Sequence, residues 1–228
     1  MTAQELKLDY FQIYDLENKP AAGNILLQGQ FDDKRIRMQV ALVDFFGNAV
    51  SKNGEPLYDK NAHLAWYRGV QPAEPIRRVI LENQFGKFDI RTGTGYGLLV
   101  PTQKVEPGSA FPKTLDHYKV YRLVDVEPVP QKIIKLRDQF GPSETSLRLP
   151  LYFAVPVAKR HDTKDYPIIN KAAHLLIFSI NVRNVEKKIT LRNQFSRGTA
   201  VNVVRSVMLA VSSFVLRPSM LKIVRCRL

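Results

Sequence analysis

The sequence predicts an all-β protein, and three observations predict it. A set of motifs recurs four times along the 228 residues, the recurring runs alternate with period two, and no stretch carries a long amphipathic helical pattern. One pentapeptide stands as LQGQF at 27–31, LENQF at 81–85, LRDQF at 136–140 and LRNQF at 191–195. Its glutamines, Gln30, Gln84, Gln139 and Gln194, are 54, 55 and 55 residues apart.

Each unit reads as three runs, here called A, B and C. The A runs are YFQIY from Tyr10, HLAWY from His63, HYKVY from His117 and HLLIF from His174. One face of each is apolar: Phe11/Ile13, Leu64/Trp66, Tyr118/Val120 and Leu175/Ile177. The other face ends in an aromatic residue: Tyr14, Tyr67, Tyr121 and Phe178. The B runs lead into the pentapeptides, where Ile134 and Leu136 oppose Lys135 and Arg137, and Ile189 and Leu191 oppose Lys188 and Arg192. That alternation fits strands with one buried and one wet face. The C runs end on a basic residue in FGNAVSK, GLLVPTQK and FAVPVAK, with VVRSVMLAV as the fourth. MLKIVRC, from Met220, reads as a fifth A run whose apolar face is Leu221/Ile223.

Gly and Pro punctuate the runs. KNGEP at 52–56 and FGPSE at 140–144 suit turns, RTGTGYG at 91–97 reads as a hairpin turn, and Pro150 is expected to split the third C run. Four such units can close as β-sandwich or barrel-like modules, with a small β-propeller as the rival architecture. The expected division is repeats 1 and 2 in 1–112 and repeats 3 and 4 with the final strand in 113–228. One continuous repeat domain is the alternative.

Composition sets further bounds. With 45% hydrophobic and 24% charged residues the chain has the balance of an ordinary globular protein. The longest charge-free part of its most apolar stretch, 206–216, is shorter than the roughly 20 residues of a spanning helix, so no membrane span is expected. The N-terminal MTAQELKLDYF lacks the apolar run of a signal peptide, and Cys226 is the single cysteine. A cytoplasmic location is therefore favoured, with a surface or extracellular one as the alternative if a leader was removed. The net charge is +13, but the first 186 residues hold 25 basic and 21 acidic residues. Beyond Glu186 come only cations: Lys187, Lys188, Arg192, Arg197, Arg205, Arg217, Lys222, Arg225 and Arg227. Such a segment suits a nucleic acid or another polyanion, and equally a solvated strand face.

LDHYKVY, LRDQFG, FAVPVAK and HLLIF, with VSKNGEP followed by AHLAWY, resemble a bacterial tandem-repeat domain of unknown function. Its members read roughly HxxCY, LxDQFG, LLCVPVDKNGE and HLxCY. The resemblance implies a repeat fold and no activity, cofactor or substrate. Many relatives place cysteines at the positions matching Trp66, Leu99, Val120, Ala154 and Ile177, all apolar here. The resemblance thus implies that hydrophobic packing replaces any cystine crosslinks of secreted relatives.

No residue set points to catalysis. The chain has no GxSxG, HExxH, P-loop or dinucleotide fingerprint, and no cofactor is expected. His63, His117 and His174 recur at one place in successive units, which spreads them apart instead of converging them on a metal. The candidate partner-binding residues are Tyr14, Tyr67, Tyr121 and Phe178 with the four glutamines, each also readable as core or turn residues. The nine C-terminal cations are the candidate polyanion site. The leading expectation is a non-catalytic structural or interaction protein acting as a subunit or scaffold in a protein assembly or with copies of itself. Polyanion binding and a glycan-binding aromatic face are the alternatives, and a small-molecule substrate is not expected.

Overall fold

The alternating runs become twelve strands in a computed structural model that describes residues 8–215. These are β1 (Tyr10–Gly29), β2 (Ile36–Lys52), β3 (His63–Val70), β4 (Arg77–Asn83), β5 (Gly86–Pro101), β6 (Gln103–Lys104), β7 (His117–Val124), β8 (Ile133–Asp138), β9 (Gly141–His161), β10 (Lys164–Tyr166), β11 (His174–Arg192) and β12 (Arg197–Val215). In units 1 and 4 the A and B runs form one long strand, β1 and β11. In units 2 and 3 prolines lie between them, Pro72 and Pro75, then Pro128 and Pro130, and the runs form separate strands.

The A and C strands alternate around a closed antiparallel ring, β1–β2–β3–β5–β7–β9–β11–β12, with β12 returning to β1. Closure leaves the ring no free edge, which answers the main hazard of an antiparallel sheet. It also excludes a propeller, in which each unit would keep a sheet of its own. Every ring strand contributes to one interior cluster: Phe11 and Ile13, Ala49, Leu64 and Trp66, Leu99, Tyr118 and Val120, Ala154, Leu175 and Ile177, Met208 and Ala210. The apolar face read from the A runs is therefore the inside of the barrel.

The B strands lie outside the ring, hairpinned to the beginnings of the C strands, and two further apolar clusters fill the space beneath them. Each hairpin also pairs with the end of the C run two units away. Gly29 pairs with Val157, Val215 with Leu81, Arg137 with Ser51, and Leu191 with Lys104. All four pairings cross the 112/113 boundary, so the two halves of the chain are interleaved.

Two local expectations are corrected. Residues 91–97 form no turn but lie inside β5, where Gly93, Gly95 and Gly97 accompany register shifts against β7. A β-carbon on Gly97 would stand 2.4 Å from the Tyr67 carbonyl oxygen and 2.6 Å from Trp66 Nε1, so glycine here serves close backbone approach. Pro150 does not split its strand: β9 runs unbroken, and Pro150 sits at a register shift opposite Phe178, where a missing N–H is tolerated. The fifth A run, with Leu221 and Ile223, lies outside the described residues.

Candidate functional site

The pentapeptide is a hairpin turn. Asn83 pairs with Gly86 and Asp138 with Gly141, leaving Gln84–Phe85 and Gln139–Phe140 as two-residue loops. Gly86 and Gly141 adopt φ of 137° and 104°, the left-handed side that glycine favours. The residue before each glutamine closes the turn, since Asn83, Asp138 and Asn193 Oδ1 accept the amides of Phe85, Phe140 and Phe195 at 2.8–2.9 Å. In unit 1, where Gly29 holds that place, the turn is longer and Asp32 accepts the Gly29 amide at 2.9 Å.

Each turn phenylalanine packs on the A-run aromatic two units away. Tyr14 meets Phe140 at 5.0 Å between ring centroids, Tyr67 meets Phe195 at 4.9 Å, Tyr121 meets Phe31 at 5.7 Å and Phe178 meets Phe85 at 6.1 Å. Two tyrosines add hydrogen bonds: Tyr14 donates to Asp138 Oδ2 at 2.6 Å and Tyr67 to Asn193 Oδ1 at 3.0 Å. Burial, reinforced by the Asp138 carboxylate, raises the Tyr14 phenol, and burial pushes Tyr67 up to about 12. All four aromatics are buried. They do not form the open stacking face that partner, glycan or base recognition would need, because the hairpins of units n+2 cover them.

The glutamines have a different partner from the turn backbone. Lys52 Nζ donates to Gln84 Oε1 at 2.6 Å and Lys104 Nζ to Gln139 Oε1, while Gln139 Nε2 reaches Asn48 Oδ1 at 2.5 Å. The basic residue that ends a C run thus grips the turn of the following unit, lying 6.0 Å and 5.7 Å from the Phe85 and Phe140 ring centroids. Lys159 stands likewise 5.7 Å from Phe195 in the Gln194 turn, but its Nζ bonds His117 Nε2 at 2.7 Å. Gln30 is exposed in the β1–β2 turn.

Unit 1 replaces this lysine–glutamine contact with a buried charge network. Lys119 is 0% exposed on the outer face of β7, and its Nζ reaches Asp32 at 3.1 Å and Glu74 at 3.0 Å. Arg77 lies 3.6 Å from Glu74 and over the Phe31 ring. The sequence signal for this network was a lone lysine between Tyr118 and Val120, but nothing local identified its distant carboxylates.

His63, His117 and His174 each begin a separate A strand and are buried. Burial lowers His63 to about 4 and His117 and His174 below the ordinary imidazole range, with Lys104 and Lys159 contributing at the first two. Among the described residues no group of three or more His, Cys, Asp or Glu is placed to hold a metal. No helix there is long and apolar enough to cross a membrane.

Of the C-terminal cations, Lys187, Lys188, Arg192 and Arg197 are exposed on the β11–β12 hairpin and have no ion-pair partner among the described residues, whereas Arg205 pairs with Asp15 at 2.7 Å. Arg217, Lys222, Arg225 and Arg227 lie outside the described residues.

No curated protein and no solved structure matches the chain. A family model described as a repeat of unknown function, DUF7450, matches residues 63–212, from the start of β3 into β12. That span is more than half of the sequence and takes in the second, third and fourth units with their turns, and the chain belongs to the DUF7450 repeat family.

Proposed function

We propose that this protein is a non-catalytic structural or interaction protein, a scaffold or subunit in a protein assembly. The observation that carries the reading is where the recurring residues go. The turn phenylalanines, the A-run aromatics, and Lys52 and Lys104 with Gln84 and Gln139 all join one unit to another. The repeats are spent on closing a ring, and what is displayed outward is particular to each unit. The test is size-exclusion chromatography of the full chain with light scattering at low salt. A defined multimer or a stoichiometric co-eluting protein supports the reading. A strict monomer that engages no protein overturns it.

A second reading, polyanion binding, is favoured by the unpaired cations of the β11–β12 hairpin. Lys188 and Arg192 lie on one strand face, about 13 Å apart at the usual rise per residue. Retention of nucleic acid, read at 260 nm, should then fall steeply as salt rises, and salt-independent retention argues against it.

We also read the chain as a cysteine-poor form of the bacterial-type repeat it resembles. Two pairs of the positions matched by cysteines in relatives are direct register partners, Trp66 with Leu99 and Val120 with Ala154. Side chains there pack together in the barrel interior, as replacement of a crosslink by apolar contact requires.

A further inference from the structure

Three lysines end the C runs, and one lacks a carboxylate. Lys52 meets Glu55 at 2.8 Å and Lys104 meets Glu106 at 2.6 Å. Lys159, only 1% exposed, has no acidic group within ion-pair distance among the described residues. Its Nζ instead lies 4.1 Å from the centroid of the Tyr166 ring and 2.7 Å from His117 Nε2. The same tyrosine ring stands 5.1 Å from the His117 ring, closing a three-member cluster. Gln194 Nε2, in the turn whose Phe195 ring faces Lys159, is buried without a hydrogen-bond partner.

Nearby charges do not neutralise the pair. On β10, Lys164 adds positive charge and Asp165 is engaged by Arg35 at 3.2 Å and Arg160 at 4.0 Å. His161 at the end of β9 lies beside the exposed Asp162, and Asp116 before β7 accepts the Ile169 and Asn170 amides. The part of β1 that pairs with this end of β9, Ile25 to Gly29, carries no charge, and Arg192 and Arg197 flanking the Gln194 turn are exposed.

A 2.7 Å amine–imidazole contact needs an acceptor. It persists when both groups are neutral, or when an ammonium donates to a neutral ring, but two charged groups present only donors. We propose that His117 and Lys159 form an acid-sensitive latch, closed while the imidazole is neutral and opened by a second proton, which releases the β10 strap that Tyr166 pins over the pair. The directions of titration agree. Burial lowers Lys159 to about 7, so the first proton enters near neutrality and strengthens the cation–ring contact. Burial and Lys159 hold His117 well below its ordinary range, so the second arrives only in acid. The latch does not depend on the interaction role proposed above.

The test is amide exchange of the full chain at a series of pH values from about 7.5 down to about 3, expressed as protection factors. In the unsubstituted protein, protection of Lys164–Tyr166 should fall roughly tenfold or more in acid. In His117→Gln, which keeps an acceptor but cannot charge, it should change less than about twofold. No loss in the unsubstituted protein, or equal loss in both, overturns the latch. Should His117→Gln fail to fold, the Lys159 side-chain carbon resonances of the unsubstituted protein decide. A midpoint near neutrality supports the shared proton, and a midpoint above about 9 overturns it.

Discussion

Lys119 and Lys159 are two lysines enclosed in one barrel wall with opposite surroundings. Lys119, on β7, is clasped by Asp32 and Glu74. Lys159, on β9, is met by an imidazole and a tyrosine ring and by no carboxylate. Burying an ammonium costs several kcal/mol, and a protein can offset that with counter-charges or let the group lose its proton. The first solution fixes a network joining the β1–β2 turn, the β3–β4 loop and β7. The second leaves a site whose charge follows pH. Two lysines buried at different places of one unit, one inside an A run and one ending a C run, therefore meet the same desolvation cost in opposite ways.

The comparison breaks most severely at Lys119. Lys119→Met leaves enclosed Asp32 without its cation and Glu74 with Arg77 alone, and should lower unfolding stability by about 3–5 kcal/mol in urea titrations at neutral pH. A loss under about 1 kcal/mol would show that the network is not what holds the turn. Lys159→Met should act through pH. Between the folded-state value of about 7 and the ordinary 10.5, the unfolded chain holds a proton that the folded chain has lost, so stability rises with pH across that window. The variant should flatten this rise by on the order of 2–4 kcal/mol, and an unchanged slope contradicts a depressed lysine.

Smaller effects test the joints between units. Tyr14→Phe removes the hydroxyl that donates to Asp138 and should cost about 1–2 kcal/mol, while unit 4 already uses Phe178 at that place. Replacing Lys188 and Arg192 together by glutamine should change stability by less than about 0.5 kcal/mol. It should weaken polyanion retention at low salt, and unchanged retention excludes the hairpin as that surface.

Much of the fold was legible because a strand writes its two faces directly into the sequence. Phe11/Ile13, Leu64/Trp66, Tyr118/Val120 and Leu175/Ile177 alternate as one apolar face and line one interior. The outer aromatics could not be placed, since a tyrosine beneath a distant hairpin and a tyrosine facing a partner obey the same alternation. What covers Tyr14 is Phe140, and no local pattern spans that separation. The three glycines of 91–97 misled for a related reason. Their number suggests a turn, while in the strand each meets a different neighbour, Gly93 the Arg122 backbone, Gly95 the Gln71 side chain and Gly97 Trp66 and Tyr67. Lysines at the ends of C runs are visible, but the hold of Lys52 and Lys104 on the next unit's glutamine spans 32 and 35 residues, beyond any local pattern.

The central claim is that each unit is completed by the unit two positions away within the same chain. Ser51 and Arg137 are register partners across units 1 and 3. The direct measurement is disulfide trapping with Ser51→Cys and Arg137→Cys in a Cys226→Ser background, followed by peptide mapping of the oxidised protein. The account predicts a near-complete crosslink between residues 51 and 137 of one chain. Unreacted thiols, or crosslinks only between chains, would contradict it.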